Sequence, residues 1–415
     1  MNGPKIYPRY LMESLKAALI DTPAVLIHGA RQSGKTTLAK MLGSEYSYYT
    51  FDDETTLTAA RLDPIGFVNR LPGKCILDEV QIVPEIFRTL KKAIDENREP
   101  GRFILTGSAN LMLLPKVSDS LAGRVEILRL HPLSQVEIES SEMNAISQMF
   151  TGEFTPGDAE IDYDEILNRV VRGGYPEPFK RVDITRNRTW YRNYTTTIIE
   201  RDLQDITKIH NIESMPKLLK MLANQTAQLI NVSEIAPAFQ LSKPTLKHYT
   251  ELLNRIFMVE FLQPFFRNRI KRLVKTPKVH LTDTGLACSI MNISAKQLQD
   301  DPGKFGHILE TFVYNELRRQ ASWLIEDIEF FHFRDRDGYE VDLVLEDSNG
   351  KIVGVEVKAS ATIRENDFVG LKRLQRLLGS QLSMGVVLYI GDRVISLGNG
   401  LYAAPISSLW ESTTK

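Results

Sequence analysis

The feature that most constrains this chain is a glycine-rich turn set directly behind an apolar run. Ala24-Val25-Leu26-Ile27-His28 runs into Gly29-Ala30-Arg31-Gln32-Ser33-Gly34-Lys35-Thr36-Thr37, and a helix-like stretch follows. An apolar run bounded by glycine reads as a buried strand, so the order is strand, loop, helix. Gly29 through Thr36 fits G-x-x-x-x-G-K-[ST] in full. Glycines let successive backbone N–H groups curl around a phosphate, and the following helix N-terminus adds its dipole. Lys35 is then expected at the β- and γ-phosphates of ATP, with the Thr36 hydroxyl on Mg2+ and Thr37 closing the loop.

Two further segments belong to the same chemistry. Cys75-Ile76-Leu77-Asp78-Glu79 is an apolar strand ending in two carboxylates. Asp78 is expected to hold Mg2+ and Glu79 to polarise the attacking water. Arg102 to Ser108 reads as a fourth strand, which puts Ser108 beside the γ-phosphate as a sensor. Ser120-Leu121-Ala122-Gly123-Arg124 follows, and Arg124 is placed to reach a neighbouring subunit's phosphate. That role implies a homo-oligomer. Strands alternating with helical segments predict an α/β fold with a mostly parallel, helix-covered sheet.

The C-terminal hundred residues return to alternating patterns. Glu340 to Glu346 and Lys351 to Lys358 read as two strands around an Asn349-Gly350 turn. Period two puts Glu356 and Lys358 on one face, and the hairpin brings Asp342 beside them. Glu310, on an amphipathic helix upstream, completes a group that resembles the PD-(D/E)xK nuclease core. In that chemistry Glu310, Asp342 and Glu356 hold Mg2+ or Mn2+, and Lys358 positions a water. A degenerate nuclease fold kept for scaffolding is the competing reading.

Composition looks unhelpful at first: 51 basic against 52 acidic residues, net charge -1, 43% hydrophobic. A globally basic nucleic-acid coat and a disordered chain are both excluded. The balance is sorted along the chain, however. Residues 243–278 carry Lys243, Lys247, Arg255, Arg267, Arg269, Lys271, Arg272, Lys275 and Lys278 against only Glu251 and Glu260. The same stretch begins in a helix–turn–helix pattern, with Ser233 and Ser242 as caps, and ends in a β-like run. DNA is the expected partner, contacted by this patch and the C-terminal domain; Phe265 and Phe266 are expected at a wing or its flanking edge. Docking of a protein is the other use of such a module. No apolar stretch is long enough for a membrane span, no signal peptide is recognised, and Cys75 and Cys288 stand alone, which suits a cytoplasmic protein.

Taken together, HGARQSGKTTLA, ILDEVQ, LTGSAN, SLAGR with HPLS, RGGYPEP and LTDTGL resemble one prokaryotic ATPase family. Its members join an AAA-type core to a C-terminal region called domain of unknown function 4143. The resemblance implies a P-loop AAA-type ATPase core over 1–135 and a helical lid or linker over 136–225. It further implies a winged-helix-like module over 226–300 and a nuclease-like α/β domain over 301–415. The expected activity is ATP hydrolysis coupled to metal-dependent DNA cleavage. The alternative is an ATP-dependent DNA- or protein-binding switch whose nuclease-like domain is structural.

Overall fold

The computed structural model describes residues 6–108, 123–154, 162–181, 183–206, 213–266 and 276–411. The chain divides into two compact units, one of Arg9–Leu133 with Arg255–Phe257, the other of Met1–Pro8, Ser134–Asn254 and Met258–Lys415.

The first unit is built on five strands: β1 Ala24–His28, β2 Ser47–Thr50, β3 Cys75–Asp78, β4 Phe103–Gly107 and β5 Val125–Arg129. They pair in the order β2-β3-β4-β1-β5, every pair parallel. All residues of β1, β3 and β4 are buried, which is why these segments read as unbroken apolar runs rather than alternating ones. The helix Ile86–Glu96 lays Ile86, Phe87, Leu90 and Ile94 against Leu26, Leu77 and Leu105. Strand β5 escaped the sequence pattern because it lies at an edge, with Glu126 and Ile127 exposed.

The second unit holds a mixed sheet. Its strands are β6 Gln228–Leu229, β7 Val259–Pro264, β8 Lys278–Leu281, β9 Glu329–Arg334, β10 Glu340–Glu346, β11 Ile352–Lys358, β12 Leu382–Tyr389, β13 Ile395–Gly398 and β14 Leu401–Pro405. Their order is β13-β14-β12-β11-β10-β9-β7-β8-β6. Strands β9, β10 and β11 form an antiparallel meander, and β12 returns parallel to β11. The helix Pro302–Ala321 precedes the meander and Val369–Leu378 precedes β12. Leu371 and Leu374 of the latter pack with Val341, Val344 and Val387. The segments expected as 136–225, 226–300 and 301–415 fall in this unit apart from Arg255–Phe257, and β6 to β8 continue the same sheet as β9 to β14.

The helix Lys243–Arg255 starts as its sequence dictates: the Ser242 hydroxyl accepts from Thr245 N at 3.2 Å, and Pro244 sits in the first turn, where a missing N–H costs nothing. Lys243, Lys247 and His248 are exposed, while Leu246, Leu252 and Leu253 face the core. Two expectations for the basic stretch need correction. Lys278 is buried in β8, and Phe265 packs against Phe331 in the core, so neither belongs to a solvent-facing patch. Arg267, Arg269, Lys271, Arg272 and Lys275 lie outside the described residues.

Candidate functional site

The P-loop folds as its sequence requires. Gly29 has φ +152°, and a Cβ there would stand 2.1 Å from the Leu130 carbonyl oxygen, so only glycine fits. Gln32 and Gly34 are both left-handed, which turns the loop into the helix Lys35–Lys40. Ser33 N bonds Ala30 O at 3.2 Å, and Arg9, which the sequence did not single out, clamps the loop: one guanidinium nitrogen donates to Ser33 O and another to His131 O, each at 2.6 Å. The buried Lys35 ammonium donates to the carbonyls of Gly29 and Ala30, both at 3.0 Å. Ala30, Arg31 and Thr37 lie in the same loop-to-helix turn.

Thr36 and Asp78 meet across the sheet. The threonine hydroxyl lies 3.1 and 3.0 Å from the two Asp78 oxygens. The Asp78 carboxylate also accepts from the Thr106 hydroxyl, and from the Tyr48 hydroxyl at 2.6 Å. Burial and the adjacent Asp78 raise the Tyr48 pKa, keeping it a donor. A hydroxyl and a carboxylate side by side at the end of the P-loop are hard oxygen donors of the kind Mg2+ takes, and the residues present fit that ion. Glu79 sits at φ +59°, its N–H bonded to Thr106 Oγ1 at 3.3 Å. Gln81 donates to the Glu79 carboxylate and, at 3.0 Å, to Ser108 Oγ. The sequence-expected water-polarising residue and sensor are thus joined by a residue not foreseen, although Gln81 stands in the ILDEVQ block. His28 is buried; desolvation and the nearby Arg129 and Lys35 hold its pKa down at about 3.

Arg124 is found elsewhere. It makes a bidentate pair with Asp95, at 2.7 and 3.0 Å, next to the start of β5. That is the opposite end of the parallel sheet from the loop that follows β1, so Arg124 does not serve its own P-loop. Residues 109–122, including the Ser120 to Ala122 stretch, lie outside the described residues.

The C-terminal cluster assembles as expected, with one addition. A bulge in β10 between Val341 and Val344 re-aims Asp342, whose carboxylate accepts from Val357 N at 3.0 Å. Glu356 accepts from Asp342 N at 3.3 Å and from Lys358 Nζ at 2.8 Å. Burial, opposed by Lys358 and reinforced by Asp342, pushes the Glu356 pKa up to about 8. Glu310, on the Pro302–Ala321 helix, is also raised, first by burial and then by Asp342. The addition is Lys278. Its ammonium lies 2.7 Å from Glu310 Oε1 and 3.2 Å from Asp342 Oδ1. These two carboxylates, with burial opposing, raise its pKa, so it stays charged. Both Asp342 oxygens are therefore taken. Among the described residues, no group of three or more His, Cys, Asp or Glu side chains is arranged to hold a metal ion. The arrangement does not fit Mg2+ or Mn2+ on Glu310, Asp342 and Glu356.

The RGGYPEP and LTDTGL segments share one buried site. Asp283, fully buried, caps the helix Thr284–Met291 through Leu286 N at 3.0 Å. It also accepts from Gly174 N at 2.6 Å, Tyr191 Oη at 3.0 Å and the buried Arg319 at 3.1 Å. A Cβ at Gly173, φ +73°, would lie 2.2 Å from Asp283 Oδ1. These motifs are structural.

Residues 21–139 match the family described as AAA domain, 163–297 the domain of unknown function 8612, and 305–409 the domain of unknown function 4143. Uncharacterized proteins of Mycobacterium bovis and Mycobacterium tuberculosis are each 29% identical over 396 residues, covering 95% of this chain and 82% of the relative. Among solved structures, the chain is similar to a Walker-type ATPase of Pyrococcus abyssi at TM-score 0.43 and 16% identity, over 69% of this chain and 96% of that one. It is also similar to a RuvB variant of Thermotoga maritima at TM-score 0.29 and 18% identity, over 64% and 92%. The family match, the P-loop and the parallel sheet agree: the first unit contains an AAA-type ATPase domain.

Proposed function

We propose that this chain is an ATP-hydrolysing switch that binds DNA. The observation that carries the first half is the pairing of Thr36 with Asp78 behind Lys35, with Glu79 held beside Ser108 by Gln81. In this reading Lys35 binds the β- and γ-phosphates of ATP, and Thr36 and Asp78 share Mg2+. Glu79 orients and polarises the attacking water, and Ser108 senses the γ-phosphate. Glu79→Gln is expected to lower turnover about 10²–10⁴-fold while leaving nucleotide binding intact. Lys35→Ala is expected to weaken binding itself. Unchanged turnover in Glu79→Gln refutes the assignment.

DNA contact is supported by the exposed Lys243, Lys247 and His248 on the second helix of a helix–turn–helix that is followed by the β7–β8 hairpin. The sequence adds five cations between 267 and 275, namely Arg267, Arg269, Lys271, Arg272 and Lys275. Affinity for duplex DNA is expected to fall steeply between low and moderate salt, and an unchanged affinity overturns the reading. A homo-oligomer with Arg124 acting in trans belongs to the same proposal. Arg124 must then leave Asp95, so Arg124→Ala lowers turnover while Asp95→Asn does not.

Metal-dependent cleavage is the second reading, favoured by the convergence of Glu310, Asp342, Glu356 and Lys358 and opposed by the ammonium of Lys278 among them. The switch reading expects ATP turnover with no cutting of linear, circular or branched DNA in Mg2+ or Mn2+. Cutting that disappears in Asp342→Ala refutes it. A cytoplasmic location belongs to the same reading; no helix among the described residues is long and apolar enough to cross a membrane.

A further inference from the structure

Three carboxylates converge on one point of the second unit, and like charges so close are relieved by a bound proton or by a cation. Glu310 comes from a helix, Asp342 from the bulge of β10, and Glu356 from β11. Two ammonium groups answer them. Lys358 lies on the same strand face as its partner Glu356, and its side chain is about a third exposed, able to exchange with water. Lys278 differs in both respects. It arrives from β8, its side chain is only 9% exposed, and its nitrogen bridges carboxylates of two separate elements. The bridging position between Glu310 and Asp342 is where a hard divalent cation would have to sit to bind both.

We propose that Lys278 is the built-in cation of this cluster, its ammonium occupying the divalent-metal position so that Glu310 and Asp342 bind Mg2+ or Mn2+ only when that side chain is removed. The argument is one of space and charge. Mg2+ needs oxygen ligands at about 2.0–2.1 Å in near-octahedral array. Glu310 Oε1 and Asp342 Oδ1 are each within 3.2 Å of the Lys278 nitrogen, and Asp342 Oδ2 is bound to Val357 N. A metal ion reaching these oxygens would stand against an ammonium with no water between them. The five groups already balance to within one charge, so a divalent ion overshoots neutrality in a buried site. An amine on a β-strand also holds the carboxylates together permanently, independent of the metal supply.

The inference deepens the non-cleaving reading of this domain and is tested by metal binding rather than by DNA. Full-length protein without nucleotide is titrated with Mn2+ and followed by electron paramagnetic resonance, which counts free aqueous ion. Asp78 is common to all variants and cancels in the comparison. Wild type and Asp342→Asn are expected to bind Mn2+ alike. Lys278→Met, which keeps an unbranched side chain one atom shorter and without the charge, is expected to gain one site about tenfold or more tighter than any in wild type. Lys278→Met with Asp342→Asn is expected to lose it. Mn2+ is likewise expected to raise the unfolding temperature of Lys278→Met more than that of wild type. Wild type binding Mn2+ at a site lost in Asp342→Asn overturns the proposal, and this arm does not depend on the Lys278 variant folding. A folded Lys278→Met that gains no site overturns it too. Wild type that binds Mn2+ at an Asp342-dependent site yet cuts nothing removes this inference and leaves the switch reading standing.

Discussion

Asp283→Ala is the substitution from which the structure extracts the largest stability effect. The carboxylate is fully buried and faces a guanidinium, Arg319, that is 4% exposed. Its removal breaks that buried ion pair, which costs about 3–5 kcal/mol. The same change removes the cap of the Thr284–Met291 helix, about 1 kcal/mol, and leaves the Gly174 N–H without its acceptor. These terms share one site and do not add fully, so about 5 kcal/mol is expected. That is a large part of the stability of an ordinary domain, about 5–15 kcal/mol. The assay follows from the sequence: the three tryptophans, Trp190, Trp323 and Trp410, all lie in the second unit. Tryptophan fluorescence in urea therefore reports this unit alone, and with a slope of about 2–3 kcal/mol per molar the midpoint falls by about 2 M. Asp283→Asn keeps the capping oxygen and is expected to lose less. Adding Arg319→Met to Asp283→Ala is expected to recover part of the loss, because the buried guanidinium is then gone. A midpoint shift below about 0.5 M, or a double variant no better than the single one, refutes the reasoning.

Gly29→Ala is expected to weaken binding of a fluorescent ATP analogue more than about tenfold, because the new Cβ would overlap the Leu130 carbonyl. Tyr48→Phe removes a hydrogen bond to the Asp78 carboxylate worth about 1 kcal/mol, so half-maximal ATPase activity is expected to need about fivefold more Mg2+. Acid is expected to act against each unit through one buried histidine. Burial holds His28 at about 3 and His332 at about 4, below the unfolded value of 6.5, so the unfolded chain binds more protons and stability is lost as pH falls below 6.5. Each costs about 2 kcal/mol at pH 5. Urea midpoints at pH 7 and pH 5 read the second unit, where the raised Glu310 and Glu356 act in the opposite direction; His332→Gln is expected to raise the pH 5 midpoint relative to the pH 7 one, and the same pH difference as in wild type contradicts the assignment.

What the sequence determined by itself is what contiguous residues can encode. The P-loop needs glycine at φ values that side chains resist, so Gly29 and Gly34 announce their backbone. The β10–β11 hairpin needs period two and Asn349-Gly350, and the strand face shared by Glu356 and Lys358 follows from counting. The buried strands β1, β3 and β4 were legible for the same reason. Partners distant in the chain were not. Tyr48 and Asp78, Gln81 and Ser108, and Arg9 and His131 meet only because a parallel sheet gathers its strand ends. Lys278 is the sharpest case. Along the chain it ends a run of cations and counts toward a solvent-facing patch; in the fold it is buried 64 positions away from Asp342, neutralising carboxylates. Charge in a sequence is a number, whereas the work a charge does depends on its distance from its partner and on the water left between them, and only the tertiary structure sets those.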